Sequence, residues 1–176
     1  VTEILSPITG PTSAGMVLEV GTIRLSGAGR MTSPMTSGWA IRGDARTLLE
    51  VDDRGTATAN RLSGAAFAMR AGLFRYVANG TANSRETLGA LDANNGTVNI
   101  ETVNTGSAGG TLTFSALTNH NSGTDFITFR SPTSVFGTEQ NRLMFTSAPG
   151  LTNGILRSVV VTDPSGTNLA TYGANE

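Results

Sequence analysis

An all-β solenoid is the fold class the sequence predicts, and three observations lead to it. Strand-sized apolar or alternating runs recur along the chain between Gly, Asn, Asp and Ser, and no stretch sustains the i, i+3, i+4, i+7 spacing of an amphipathic helix. Thr, Val and Ile, which favour pleated strands, are plentiful, whereas Lys is absent and all 12 basic residues are arginines. The 7 Phe, 2 Tyr and 1 Trp are few, which suits the narrow core of stacked coils better than the broad core of a sandwich. An antiparallel β-sandwich is the alternative, because the Asn-Gly pairs that allow tight solenoid corners also make two-residue hairpins.

Taken in order, the first strands are expected at 16–20, where Met16-Val17-Leu18 opens the run, and at 22–25, which alternates through Ile23 and Leu25. The run 47–51 carries Leu48-Leu49-Glu50-Val51, 65–69 is the longest apolar stretch, and 73–77 carries Leu73, Phe74, Tyr76 and Val77 around Arg75. Further strands are expected at 87–91, 97–101, 111–115, 125–129, 142–146, 158–162 and 169–172, each short and bounded by turn formers. Only 46–52 and 65–74 offer a weak helical alternative. Corners fall at Asn79-Gly80, Asn95-Gly96 and Asn153-Gly154, where the left-handed backbone is tolerated.

The middle of the chain is the most regular. Gly96-Thr97-Val98-Asn99-Ile100, Gly110-Thr111-Leu112-Thr113-Phe114 and Gly123-Thr124-Asp125-Phe126-Ile127 each open with Gly-Thr, with starts 14 and then 13 residues apart. Such spacing fits successive strands with short corners. At roughly 20 residues per coil and ~4.8 Å per strand, the chain would form about nine coils and a rod of ~40 Å. It is expected to be a single solenoid segment over 1–176. A start at Val1 rather than Met suggests a piece of a longer precursor, whose signal and anchor lie elsewhere.

Composition narrows the function. The net charge of -1 and the scatter of arginines from Arg24 to Arg157 leave no basic stripe for nucleic acid. The absence of Cys removes disulfides, thiolate nucleophiles and Cys-ligated metals. The run from Ala65 to Met69 is far short of the ~20 apolar residues of a membrane-spanning helix, so no membrane insertion by this segment is expected.

Catalytic patterns are mostly refused. His120 lies close to Ser122 and Asp125, but three residues of one loop do not supply triad geometry, and a polar corner is the better reading. Gly27-Ala28-Gly29-Arg30-Met31-Thr32 lacks the third glycine of a dinucleotide fingerprint and reads as a turn. In Asp92-Ala93-Asn94-Asn95-Gly96 the glycine comes one place too early for a calcium loop, and Val103 stands where a bidentate Glu is needed. Asp52-Asp53 and Asp163-Pro164-Ser165-Gly166 read as solvated turn acids. No catalytic, cofactor-binding or metal-binding residues, and no cofactor, are expected.

Two binding readings stand beside these. Glu86, Asp92, Glu101, Asp125 and Glu139 would form a glycan-cleaving or glycan-binding groove only if coil stacking brought at least two carboxylates within about 10 Å, beside an aromatic platform. Arg42-Gly43-Asp44 is a tripeptide that some adhesins present to integrins, and it requires an exposed loop. Asn79-Gly80-Thr81 and Asn95-Gly96-Thr97 match the glycosylation acceptor pattern, which in a bacterial chain normally stays bare.

From residue 48 onward a sequence of phrases is familiar: Leu49-Glu50-Val51-Asp52, Ala59-Asn60-Arg61-Leu62, Gly72-Leu73-Phe74-Arg75-Tyr76, and Ser84-Arg85-Glu86-Thr87-Leu88-Gly89-Ala90-Leu91. They continue through Gly96-Thr97-Val98-Asn99-Ile100, Leu112-Thr113-Phe114-Ser115-Ala116-Leu117 and Leu143-Met144-Phe145-Thr146-Ser147-Ala148-Pro149, then Leu151-Thr152-Asn153-Gly154-Ile155 and Leu169-Ala170-Thr171-Tyr172. In this order they resemble the autotransporter-associated β-strand repeat proteins, large exported bacterial chains. The resemblance covers 48–176, with 1–47 weakly matched, and Arg157-Ser158-Val159 stands where members often carry a Gly-Gly-Trp-like phrase.

The resemblance implies a right-handed parallel β-helix in an exported, extracellular or cell-surface protein. It also implies a structural or adhesive role with no catalytic residues to transfer. The expected partners are other copies or neighbouring repeats stacked end to end, with surface glycans or cell surfaces as further candidates.

Overall fold

The computed structural model describes residues 1–10, 14–33, 35, 37–93, 96–120 and 125–173. Among these residues there is no helix, and therefore none long and apolar enough to cross a membrane. The strands follow one another around a three-faced coil. The first coil holds β1 (Thr2–Ile4), β2 (Pro7–Ile8) and β3 (Met16–Leu18), and the second holds β4 (Gly21–Leu25), β5 (Arg30–Met31) and β6 (Trp39–Ile41).

The third coil holds only β7 (Thr47–Asp52) and β8 (Phe67–Met69), its middle face being a loop. Regularity returns with β9 (Leu73–Val77), β10 (Ser84–Leu88) and β11 (Leu91–Ala93), then β12 (Thr97–Val103), β13 (Gly110–Phe114) and β14 (Leu117–Thr118). The chain ends through β15 (Phe126–Arg130), β16 (Asn141–Phe145), β17 (Val159–Asp163) and β18 (Gly166–Leu169).

The pairing makes this a β-solenoid. The long sheet runs β1-β4-β7-β9-β12-β15-β17-β18, and every neighbouring pair is parallel except β17 with β18. Parallel pairing between strands one coil apart rules out the antiparallel sandwich, whose neighbours would run in opposite directions. About four complete turns lie between β4 and β14, with shorter stretches before and after.

The coils are longer and fewer than the sequence suggests. Register advances 26 residues from Gly21 to Thr47, 25 from Leu48 to Leu73 and 26 from Leu73 to Asn99, and later 32 from Ile127 to Val159. The spacing of 14 runs from β12 to β13 on the next face, and the spacing of 13 runs on past β14 toward β15, which shares the face of β12. Two such steps therefore complete one coil. Gly123 and Thr124 of the third phrase lie outside the described residues.

Several local expectations are corrected too. The run 87–91 is two strands, β10 and β11, meeting at Gly89-Ala90, where the backbone passes so close to the coil beneath that a Cβ on Gly89 would lie 2.8 Å from Ala66 Cα. The run 169–172 is not a strand of the stack, since β18 ends at Leu169. Neither helical alternative forms, because 46–52 and 65–74 supply β7, β8 and the start of β9. The sequence missed β1, β2, β5, β6 and β14, all of two or three residues, too short to show a period.

Burial is organised in columns. Ile23, Leu49, Phe74, Ile100, Phe129 and Val161 are in register on the inner side of the long sheet. Facing them, Met16, Trp39, Phe67, Leu91 and Leu117 stack on the third face. The two columns interlock where the Phe67 and Phe74 rings approach to 4.7 Å. A single coil could not close such a core, so each coil depends on the next.

At the far end of the stack the chain folds back on itself. There β18 turns back antiparallel along β17, and the Tyr172 hydroxyl donates to Phe145 O (2.7 Å) while accepting from Phe145 N (3.0 Å). One side chain thus satisfies both backbone groups that another coil would otherwise engage.

An axial charge ladder, a buried ionic cluster and an open groove

Outward-facing residues form columns as well, and one carries charges of alternating sign over six strands, with ion pairs running from Arg24 to Arg130. Glu3, Arg24, Glu50, Arg75, Glu101 and Arg130 occupy equivalent positions in six successive strands of the long sheet. Arg24 Nε donates to Glu50 Oε1 (2.6 Å), and Arg75 Nη1 donates to Glu50 Oε2 (3.1 Å). Arg75 Nε donates in turn to Glu101 Oε1. Arg130 Nε lies 2.6 Å from Glu101 Oε2, an ion pair in which the N–H points off the line to the oxygen.

Flanking arginines cover Glu50 and Glu101 so fully that they are only 2% and 5% exposed. Burial disfavours the Arg75 cation, yet Glu101 and Glu50 together hold its pKa above the ordinary value. A column of like charge at strand spacing would be repulsive, so alternation of sign is what makes it cohesive. The sequence carried the signal as signs alternating once per coil, but a search by local motif passes over groups some 26 residues apart.

A second group is buried inside, where the third coil lacks a middle strand. Arg61 and Asp53 are both fully buried and joined Nε to Oδ1 at 2.7 Å. The remaining guanidinium nitrogens donate to Gly29 O (2.6 Å) and Thr56 O (2.8 Å). Glu86 points inward from β10 and accepts the backbone N–H of Arg61 (2.8 Å) and of Leu62 (3.0 Å). Its carboxylate stands in for the missing strand. Tyr76 OH completes the cluster by bonding to Ser84 Oγ (3.0 Å) and Asp53 Oδ2 (3.3 Å).

Burial pushes Glu86 up to about 8, against the lowering pull of the Leu62 and Arg61 N–H groups. Burial also raises Asp53 above its ordinary range although Arg61 pulls it down, and it raises Tyr76. Both Glu86 oxygens are engaged and the residue is fully enclosed. The cluster is a brace between coils with no face open to a substrate.

The expected sites scatter. Arg42-Gly43-Asp44 is the corner between β6 and β7, with Arg42 and Asp44 exposed. A Cβ on Gly43 would lie 1.9 Å from Glu19 O, so the corner is pressed onto the coil below, and Asp44 is gripped by Arg46 through Nε (3.0 Å) and Nη2 (2.7 Å). His120 is buried, and burial lowers its pKa against the pull of Asp125; Ser122, Asn94 and Asn95 lie outside the described residues. Among the described residues no three His, Asp or Glu side chains gather around a metal position. Asp53 is no solvated turn acid, while Asp52 is paired with Arg54 at 2.6 Å.

The five acids of the glycan reading part company. Glu86 is in the buried brace, Glu101 in the ladder and Asp125 is buried, while Asp92 borders a small hollow with Arg42 and Arg70. Of the five, only Glu139 reaches a surface groove of about 620 Å³ over the outer side of β10, β13 and β16. No aromatic residue lines it, so the carboxylate pair and aromatic platform are not brought together there. Arg85 and Arg142 do line it, with Thr111 between them.

Fold and site together define a parallel β-solenoid braced along its axis by ion pairs. The chain matches no family model, and no curated protein or solved structure is significantly similar to it.

Proposed function

We propose that the chain is a non-catalytic structural or adhesive segment of an exported bacterial surface or extracellular fibre protein, one that extends by adding coils. The observation that carries this reading is the ladder of ion pairs from Arg24 to Arg130, which commits five charged residues to axial cohesion. The phrases that resemble autotransporter-associated repeats supply the exported, surface setting. Copies or neighbouring repeats meet at the first coil, where Val1, Leu5, Val17 and Val20 are all more than half exposed.

Sedimentation velocity over a concentration series tests the association. The purified chain self-associates, and Leu5→Asp weakens that association. A strictly monomeric chain whose β1 amides are nevertheless well protected from exchange would contradict the end-to-end reading. Adhesion through Arg42-Gly43-Asp44 is tested separately by Asp44→Glu in a cell-attachment assay, in which unchanged attachment removes that loop from the account.

A further inference from the structure

The groove over β10, β13 and β16 has chemistry that neither the axial ladder nor the buried brace uses. Arg85, Thr111 and Arg142 are in register across the three strands and face outward. Two strand steps separate the arginines, about 10 Å between their backbones. Among the described residues six arginines are held in ion pairs, and neither Arg85 nor Arg142 is among them. Arg142 Nε is buried against the groove wall without a hydrogen-bond partner. A guanidinium left with unused donors in a concave site is ready to take an anion.

The rest of the lining says what kind of anion. Asn83, Ser107 and Thr111 present neutral amide and hydroxyl groups, and Glu139 adds one acceptor at the rim. Such a surface matches a ligand that is rich in hydroxyls and carries widely spaced negative charges. A nucleic acid is a poorer match, since its phosphates are closely spaced and no aromatic is present for base stacking.

We propose that this groove binds an acidic oligosaccharide, with Arg85 and Arg142 each engaging a carboxylate or sulfate group and Thr111 and Asn83 engaging hydroxyls between them. The site is contained within one chain, so it does not depend on the fibre reading and is testable on the monomer at low concentration.

Calorimetric titrations with an oligogalacturonate, a heparin-derived oligosaccharide, a neutral cello-oligosaccharide and a single-stranded oligonucleotide test it. The expected result is binding of at least one acidic saccharide, weakened about tenfold or more in Arg85→Gln/Arg142→Gln. A control that removes the same charge elsewhere, Arg30→Gln/Arg157→Gln, should bind like the parent. Whether the carboxylated or the sulfated ligand binds more tightly identifies the source of the anion. Amide shift changes on the unaltered chain should centre on Arg85, Thr111 and Arg142, which keeps the test valid if the double variant is misfolded. The proposal is overturned if no acidic saccharide binds, if the neutral sugar or the oligonucleotide binds as tightly, or if the control variant loses as much affinity.

Discussion

At the scale of single residues, the strongest demands fall on Arg61, Asp53 and Glu86. A buried ion pair tolerates loss of one partner poorly, because the survivor stays in the interior as an uncompensated charge. Arg61→Met should therefore destabilise the chain by about 3–5 kcal/mol in urea unfolding. Glu86→Gln is a subtler probe. An amide has one accepting oxygen, so one of the two N–H groups of Arg61 and Leu62 would face an NH2, at a cost of about 1–3 kcal/mol.

Glu86 also sets a pH dependence. Its pKa rises from an ordinary 4.5 to about 8 on folding, so the folded chain holds a proton that the unfolded chain releases. Stability from this group is complete below about 4.5 and is lost as pH rises toward about 8. Asp53, raised as well, acts in the same direction. Unfolding midpoints taken between those limits should fall with rising pH in the parent chain, and the slope should flatten in Glu86→Gln. A rising midpoint would contradict the assignment.

At the scale of elements, stability comes from register. Glu50 and Glu101 share Arg75, so Glu50→Gln and Glu101→Gln should each destabilise by about 1–3 kcal/mol and should be non-additive when combined. Strict additivity in a double-mutant cycle would mean that the column is a set of independent pairs. At the far end, Tyr172→Phe strips both partners from the Phe145 backbone and should cost about 1–3 kcal/mol in thermal or urea unfolding.

Elements were legible in the sequence where their own residues set the pattern. Leu73–Val77 was read to the residue because an apolar run broken only by Arg75 occupies its whole length. Trp39–Ile41 was not, since three buried residues in a row show no alternation. Asp53 was read as a solvated turn acid and Glu86 as a candidate groove acid, and what makes them structural is the loop that replaces a strand in the third coil. That loop becomes visible only once coils are stacked.

At the scale of the whole molecule, the chain is a short rod whose interior and exterior both repeat along one axis. The six parallel steps of the long sheet span about 29 Å, less than the ~40 Å that coils of roughly 20 residues imply. The solenoid class followed from composition and short strands, but the coil length did not, because about 20 residues per coil were assumed where the register advances by 25 or more. The absence of cysteine makes the axial geometry easy to measure, since labels can be placed at chosen positions without background.

Thr22, Thr128 and Val160 lie in one outward column of the long sheet, Thr128 four strand steps and Val160 five steps from Thr22. Pulsed electron paramagnetic resonance on spin labels at Thr22 with Thr128, and at Thr22 with Val160, tests the axial stacking directly. Parallel stacking predicts backbone separations of about 19 and 24 Å, so the second distance should exceed the first by one strand spacing. Equal distances, or a shorter second distance, would contradict the solenoid on which the whole account rests.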